Sequence, residues 1–214
     1  MKNKYFLYLF FLYISFFNIN FVTANEFEFN VSEIIISDNG SIIEAKEGTA
    51  TSLVDGINID ANTFFYNKNT STLTASGDVK IRGIKNDFLI ETQSIIYDTY
   101  KKEISSQNST LINDAHGNLA EAQAFFLNLN DDVIKLKKMK MIDLQQNIIK
   151  LDIAYINLNT RNLIGKDVSI NLNNKTFNKE NEPRLKGSSL NTDLQTSILT
   201  KGVFTTCKKN DDCP

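Results

Sequence analysis

The sequence predicts an all-β fold in which one antiparallel sheet, built from repeats of about 30 residues, folds over an apolar core. Three observations predict it. A nine-residue pattern recurs four times, apolar residues alternate at a period of two within the copies, and segments rich in Asn, Asp, Gly and Ser separate them. Such alternation is typical of half-buried strands, and the separating segments are typical of turns.

The repeat occupies the middle of the chain. Its four copies are Asn58–Tyr66, Leu89–Tyr97, Leu119–Leu127 and Ile148–Ile156. The last residues of successive copies are 31, 30 and 29 positions apart. Seven residues after each of these, a second apolar motif begins, at Leu73, Ile104, Ile134 and Leu163. A near-constant period predicts stacked units that share one core, and about 150 residues suffice for a sizeable one.

Each copy, with the motif that follows it, is predicted to form a strand, a tight turn and a second strand. In the first copy, alternation places Ile59, Ala61 and Phe65 on one side of the strand and Asp60 on the other. The third copy begins Leu-Ala-Glu-Ala-Gln-Ala, which has helix propensity. Its register with the other copies favours a strand instead.

The alternation also predicts which residues line the interior. The predicted inward row is apolar and includes small residues: Ile59, Ala61, Phe65, Val79, Ile81, Ile90, Ile96, Ile104, Phe126 and Ile134. Two interpretations stay open on this evidence. The interior is either a thin, close-packed core between two layers, or a groove left open for an apolar chain.

The N-terminal 24 residues have the pattern of a secretory signal peptide. Lys2 and Lys4 precede an almost wholly apolar stretch from Tyr5 to Val22, and Ala24 ends a small-residue cleavage site. The alternative is an uncleaved membrane anchor, because 18 apolar residues just suffice to span a bilayer. We expect cleavage after Ala24 and export of the remaining chain.

The search for catalytic motifs finds none. There is no nucleophile elbow, zinc-protease motif, phosphate loop or dinucleotide fingerprint. With one His and two Cys, a zinc cluster of these residues is nearly impossible, and His116 lies in a turn-like segment. A net charge of −2 gives no basic field for nucleic acid. We therefore expect no enzyme activity, no cofactor and no metal.

A basic run alternates with apolar residues near the third copy. It contains Lys135, Lys137, Lys138 and Lys140. The simpler interpretation is one polar face of a strand. The functional interpretation is a contact with phosphates or anionic lipid headgroups at the rim of the interior.

The repeat register ends at Asn174, which predicts a domain over residues 25–174 and a linker with a cysteine-containing tail over residues 175–214. In an exported chain, Cys207 and Cys213 are expected to be oxidised. A bond between them would close a loop of about seven residues and contribute roughly 2 kcal/mol. Pairing with cysteines elsewhere is the alternative.

The first repeat resembles the OstA-like family of LptA/LptC-type β-jellyrolls, which form the bacterial lipopolysaccharide (LPS) export bridge. The family's unit is an Ile-x-Ala-x-x-Φ-x-Tyr strand followed by a Leu-x-Ala-x-Gly-Asp/Asn-Val strand. Ile59-Asp-Ala61, Tyr66 and Leu73–Val79 match it, and later copies are degenerate. The tail, with Phe-Thr-Thr-Cys207 and Cys213-Pro214, resembles the segment that joins this domain to the outer-membrane barrel in the LptD family.

This resemblance implies a V-shaped β-jellyroll at the periplasmic face of the outer membrane that conducts LPS acyl chains along its interior without catalysis. It implies LPS and other jellyroll domains of the bridge, joined by edge strands, as partners. A full-length LptD-type chain would add the barrel and its lipoprotein partner, with periplasmic cysteines pairing to the barrel. We expect this chain to stop before that barrel. The alternative from another class is an exported structural or protein-binding β-repeat module with a dry core.

Overall fold

The computed structural model describes residues 26–84, 87–113, 118–173, 181–193 and 195–208. All 15 strands in this part belong to one antiparallel sheet. The strands are β1 (Glu28–Ser37), β2 (Ile42–Ser52), β3 (Ile57–Asn67), β4 (Thr72–Gly83), β5 (Leu89–Asp98), β6 (Glu103–Ser106), β7 (Thr110–Asn113), β8 (Leu119–Ala122), β9 (Ala124–Asn128), β10 (Val133–Ile142), β11 (Ile148–Asn157), β12 (Leu163–Asn171), β13 (Arg184–Thr192), β14 (Ser197–Thr200) and β15 (Val203–Thr205). The predicted all-β class is confirmed, and the third copy of the repeat forms strands.

The repeat determines the register of the sheet. The last residue of each copy pairs with the first residue of the motif that follows it, as in Tyr66 with Leu73 and Leu127 with Ile134. Neighbouring repeats pair at the same positions, because Leu73 also faces Tyr97. The repeat anchors therefore form one continuous row across the inner face of the sheet.

Every long strand changes direction near its middle. In β3 the buried residues alternate up to Ala61, then Asn62 and Thr63 are both exposed, and alternation resumes at Phe64 in the opposite phase. In β4 the pairing register shifts at the same level, where Gly77 and Asp78 both have positive φ. This is the geometry of a β-bulge, which bends a strand and increases its twist.

We call this line of bends the crease. It continues through Lys137 and Lys138 in β10 and through Lys166 and Asp167 in β12, where two successive residues are again exposed. It also separates β6 from β7 and β8 from β9, at Gln107–Ser109 and Gln123.

The sheet folds along the crease into two layers. We call the layer that contains the repeat anchors the anchor layer, and the layer that contains Ile59, Ile81 and Ile90 the opposite layer. Buried side chains of both form one hydrophobic cluster. At the N-terminal end, Phe27 packs edge-on against Tyr66 and Tyr97, with ring centroids 5.1 and 5.7 Å apart.

The sheet continues beyond the predicted boundary at residue 174. β13 pairs with β12 over eight residues, and β14 and β15 each pair with β13. Part of the segment predicted as linker and tail, from Arg184 to Thr205, therefore contributes strands to the sheet, and residues 174–180 lie outside the described part. The repeat motif is too degenerate there to reveal the last strands.

The two edges of the described sheet are β1 at one side and β14 with β15 at the other. Ile34, Ile35 and Ile36 of β1 are exposed, as are Ile198, Val203 and Phe204 at the far edge. Among the described residues no helix has the length and apolar character needed to cross a membrane.

Candidate functional site

The interior between the two layers is the first candidate site. Seven of the ten predicted inward residues are buried there: Ile59, Ala61, Val79, Ile81, Ile90, Ile104 and Ile134. All but Ala61 have no exposed surface. The interior is thus mainly apolar from layer to layer, with the hydrogen-bonded hydroxyls of Thr92, Ser106 and Thr110 buried near the crease. Its N-terminal part is tightly closed.

The other three predicted inward residues lie on the outer face of the anchor layer. Phe65, Ile96 and Phe126 are 43, 56 and 38% exposed. The prediction of their direction was wrong because it assumed a single alternation phase along each strand, whereas the crease shifts that phase by one residue.

Their chain neighbours occupy the interior instead. The buried side chains on either side of these three residues are Phe64, Tyr66, Ile95, Tyr97, Phe125 and Leu127. Two signals in the sequence point to the shift. Asn62-Thr63 is a pair of successive polar residues inside a strand, and Gly77-Asp78 is a dipeptide typical of a bulge or turn.

Two carboxylates connect the layers at the N-terminal end. Glu26 accepts hydrogen bonds from the hydroxyls of Tyr66 and Thr99, the second at 2.9 Å. Asp55, in the turn between β2 and β3, accepts a hydrogen bond from the hydroxyl of Tyr97. Neither carboxylate belongs to the repeat pattern, so neither is predicted from the sequence.

The side chain of Asp55 is nearly buried, with 9% of its surface exposed. Burial by itself would raise its pKa, but hydrogen bonds from Tyr97 and Ser52 and the nearby Lys102 ammonium outweigh burial and lower the pKa. Burial raises the pKa of Tyr97, and the hydrogen bond to the Asp55 carboxylate raises it further. An ionised carboxylate therefore accepts from a neutral phenol.

The interior is less tightly sealed toward the C-terminal end. Ten apolar residues pack on the core and stay partly exposed. Seven of them lie on or beside β10 to β14, namely Met141, Ile149, Ile156, Leu158, Leu172, Leu185 and Leu199, and the other three are Phe29, Val31 and Leu129. An apolar ligand would meet hydrophobic surface at this end without breaking the contacts of Glu26 and Asp55.

The outer face of the anchor layer contains a second apolar feature. Twelve residues, one from each of twelve strands (β1–β6 and β9–β14), pair in register in a single line across it: Ile35, Glu44, Phe65, Thr74, Ile96, Ser105, Phe126, Lys135, Tyr155, Ile164, Asn191 and Ile198. Seven of them are large, exposed apolar or aromatic residues. We call this line the outer stripe.

A surface pocket of about 610 Å³ lies on the outer stripe. The residues that line it include Phe126, Asp131, Lys135, Lys137 and Tyr155. The Lys135 ammonium is 5.5 Å from the centroid of the Tyr155 ring, within the range of a cation–π contact.

The four lysines of the predicted basic run fall into two groups, which differ in whether they form ion pairs. Lys138 and Lys140 form ion pairs, at 2.6 Å with Asp152 and at 3.6 Å with Glu121. Lys135 and Lys137 line the pocket on the outer face. The predicted place of these lysines at the rim of the interior is therefore wrong for Lys135 and Lys137.

The remaining candidates are the two cysteines of the tail and His116. Cys207 is disulfide-bonded, and its carbonyl oxygen accepts a hydrogen bond of 2.6 Å from the buried guanidinium of Arg184. Cys213 and His116 lie outside the described residues. Within the described part, no group of three His, Cys, Asp or Glu residues is arranged to hold a metal ion.

No protein-family model matches the sequence, and no curated protein matches it. Among solved structures, the chain is similar to LptH from Pseudomonas aeruginosa, the LptA-homologous periplasmic component of a lipopolysaccharide transport device. The match has 11% sequence identity and a TM-score of 0.28, and it covers 65% of this chain and 81% of LptH. No family assignment follows from these comparisons.

Proposed function

We propose that this chain is a non-enzymatic LPS carrier whose two layers hold LPS acyl chains between them. The observation that supports the proposal most directly is the mainly apolar interior. Each repeat adds the same inward anchors, so the anchor row consists of aliphatic and tyrosine side chains from Ile43 in β2 to Leu163 in β12. Burying each CH₂ of an acyl chain contributes about 0.8 kcal/mol without any directional contact.

The proposal includes the export route and the partners that the sequence resemblance implies. The chain acts in the periplasm, at the outer membrane, after removal of its signal peptide. Other jellyroll domains of the LPS bridge join it at β1 or at β14 and β15, because free strand edges present unpaired N–H and C=O groups for strand addition. The finer proposal is an LptD-type N-terminal domain, supported by the resemblance of the tail with Phe-Thr-Thr-Cys207 and Cys213-Pro214.

Acyl chains enter only if the layers separate. The closed N-terminal part and the partly exposed apolar residues near Leu172 and Leu185 favour entry at the C-terminal end. In this proposal Glu26 and Asp55 hold the N-terminal end closed while the other end opens.

One observation favours a second candidate, a structural module with a dry core. Ile59, Ile81 and Ile90 have no exposed surface. A core packed to that degree is stable by itself and needs no lipid to fill it.

Site-specific photo-crosslinking distinguishes the two. A photoreactive amino acid at Ile59 or Ile90, incubated with LPS, is expected to capture it. Matched probes at the adjacent outward residues Asp60 and Glu91 are expected to give at most background. Circular dichroism verifies that each variant keeps its β structure. Equal labelling of both faces, or no labelling at the inward positions in folded protein, would favour the dry module.

A further inference from the structure

The part of the outer stripe that crosses β9 to β12 combines exposed apolar side chains with lysines. Phe126, Lys135, Tyr155 and Ile164 are consecutive partners in that line. In the adjacent row, on the crease side, Lys137 and Lys166 lie on either side of Ile153. We call Phe126, Lys135, Lys137, Tyr155, Ile164 and Lys166 the outer patch.

The three lysines of the outer patch form no ion pair among the described residues. Lys46, Lys80, Lys138 and Lys140 are the strand lysines in ion pairs, and Lys150 and Lys186 resemble the patch lysines in forming none. Asp131 lines the same pocket, and no ion pair joins it to the patch lysines. The patch is thus locally positive on a chain whose net charge is −2.

The apolar residues of the patch are more exposed than a packed sheet face requires. Tyr155 and Ile164 are 42 and 54% exposed. Exposed apolar surface bordered by lysines that form no ion pair matches the interfacial region of a membrane, where side chains insert among headgroups and lysines meet phosphates. A tyrosine suits this position because its ring is apolar and its hydroxyl stays hydrated.

The narrowness of the apolar line also favours a lipid surface over a rigid partner. Phe126, Tyr155 and Ile164 lie in a line one residue wide. Such a line offers little area to a rigid protein, which needs about 800 Å² per partner for a stable complex. A fluid bilayer adapts to the same line of side chains.

We propose that the outer patch binds the surface of an anionic lipid bilayer, with Phe126, Tyr155 and Ile164 inserted at headgroup level and Lys135, Lys137 and Lys166 against lipid phosphates. This interaction is separate from the proposed carriage of LPS in the interior. It places the anchor layer against the membrane and leaves the strand edges and the opposite layer free.

Co-sedimentation with vesicles that contain no LPS tests the proposal. The purified protein is mixed with vesicles of phosphatidylcholine alone, or with about one third phosphatidylglycerol. Binding is expected mainly to the anionic vesicles and is expected to fall as salt is added. The K135Q/K137Q/K166Q variant is expected to bind the anionic vesicles at least tenfold more weakly, since each lysine near such a surface contributes roughly a fivefold factor.

Two matched controls separate the patch from overall charge and hydrophobicity. K46Q/K80Q/K138Q removes three lysines that are already in ion pairs, with the same change in net charge. L53S/V54S removes exposed apolar residues from the β2–β3 turn, to be compared with F126S/Y155S/I164S. The controls are expected to bind like the unchanged protein, and the apolar patch variant is expected to lose most binding.

The proposal is overturned if the lysine control weakens binding as much as the lysine patch variant does. It is also overturned if neither patch variant changes binding while circular dichroism shows them folded. The proposal is also overturned if the unchanged protein sediments as a dimer and the F126S/Y155S/I164S variant sediments as a monomer. That result would mean that a second copy of the chain occupies the patch.

Discussion

The hydroxyl of Tyr97 donates a hydrogen bond to the Oδ2 atom of Asp55, and this bond joins the two layers of the sheet. Tyr97 ends the second copy of the repeat, whereas Asp55 lies in a turn outside the repeat. The Lys102 ammonium is 3.1 Å from Oδ1 of the same carboxylate. Both oxygens of one nearly buried acid are therefore engaged across the layers.

The first prediction concerns this connection. Tyr97→Phe removes the donor and keeps the ring, and we expect it to lower the free energy of unfolding by about 1–3 kcal/mol, because a buried carboxylate loses a hydrogen bond. Urea denaturation followed by circular dichroism measures the effect. Tyr100→Phe is the matched control, because Tyr100 is exposed. Equal small effects of both changes would contradict a structural role for the bond.

The second prediction is a dependence of stability on pH. The pKa of Asp55 is lowered in the folded protein, so its contribution is present above the ordinary carboxyl pKa and is lost as pH falls through the folded value. The pKa values of Tyr66 and Tyr97 are raised, so their contribution is present below the ordinary phenol pKa of about 10 and is lost at higher pH. The urea concentration at the midpoint of unfolding should decrease as the pH is lowered below about 4 and as it is raised above about 10. Asp55→Asn should reduce the decrease in stability at low pH. If that decrease is unchanged in the variant, other acidic residues cause it.

The third prediction compares two adjacent isoleucines in β5. Ile95 is buried in the core and Ile96 lies on the outer stripe. Ile95→Ala is expected to cost about 2–5 kcal/mol of unfolding free energy because it leaves a cavity. Ile96→Ala is expected to change stability by less than about 0.5 kcal/mol. The reverse order would mean that the alternation phase does not shift at the crease.

The fourth prediction tests the crease itself. Gly77 has a φ of +82°, and a Cβ added there would come within 2.6 Å of the Asn62 amide nitrogen and 2.8 Å of its Cβ. Gly77→Ala should therefore destabilise the sheet by about 1–3 kcal/mol. Gly40→Ala is the control, since Gly40 has a similar φ but open space around it. If both substitutions cost the same, backbone strain explains the effect without the contact to Asn62.

The fifth prediction concerns the cysteines. Cys207 lies beyond the last strand, so replacing Cys207 and Cys213 with Ser is expected to leave the sheet folded and to change the melting temperature little. Thermal unfolding by circular dichroism measures this. A large decrease in melting temperature would show that the tail stabilises the sheet, for example through the contact of Arg184 with the Cys207 carbonyl.

The strand content and register of the sheet follow from local sequence. Tyr66 and Leu73 belong to a pattern that repeats at equal intervals, and equal intervals place equivalent residues opposite one another. This is why the fold class and the inner row were predictable without a structure.

The direction of Phe65, Ile96 and Phe126 was not predictable from alternation, because a bulge in a neighbouring strand changes the bend of the whole sheet. Nothing in β5 itself marks the shift beyond the polar pair Gln93-Ser94. The contact of Asp55 with Tyr97 was also beyond the sequence, since 42 residues separate them and only the folding of one layer on the other brings them together.

The crease also determines how the domain scales. Because each long strand crosses from one layer to the other, one repeat supplies a complete slice of the cross-section, with both walls and the core between them. Inserting or deleting a repeat would lengthen or shorten the domain by about 10 Å, the width of two strands, and would leave the cross-section unchanged. The length of such a domain is therefore determined by the number of repeats, while the two layers and the core between them stay the same.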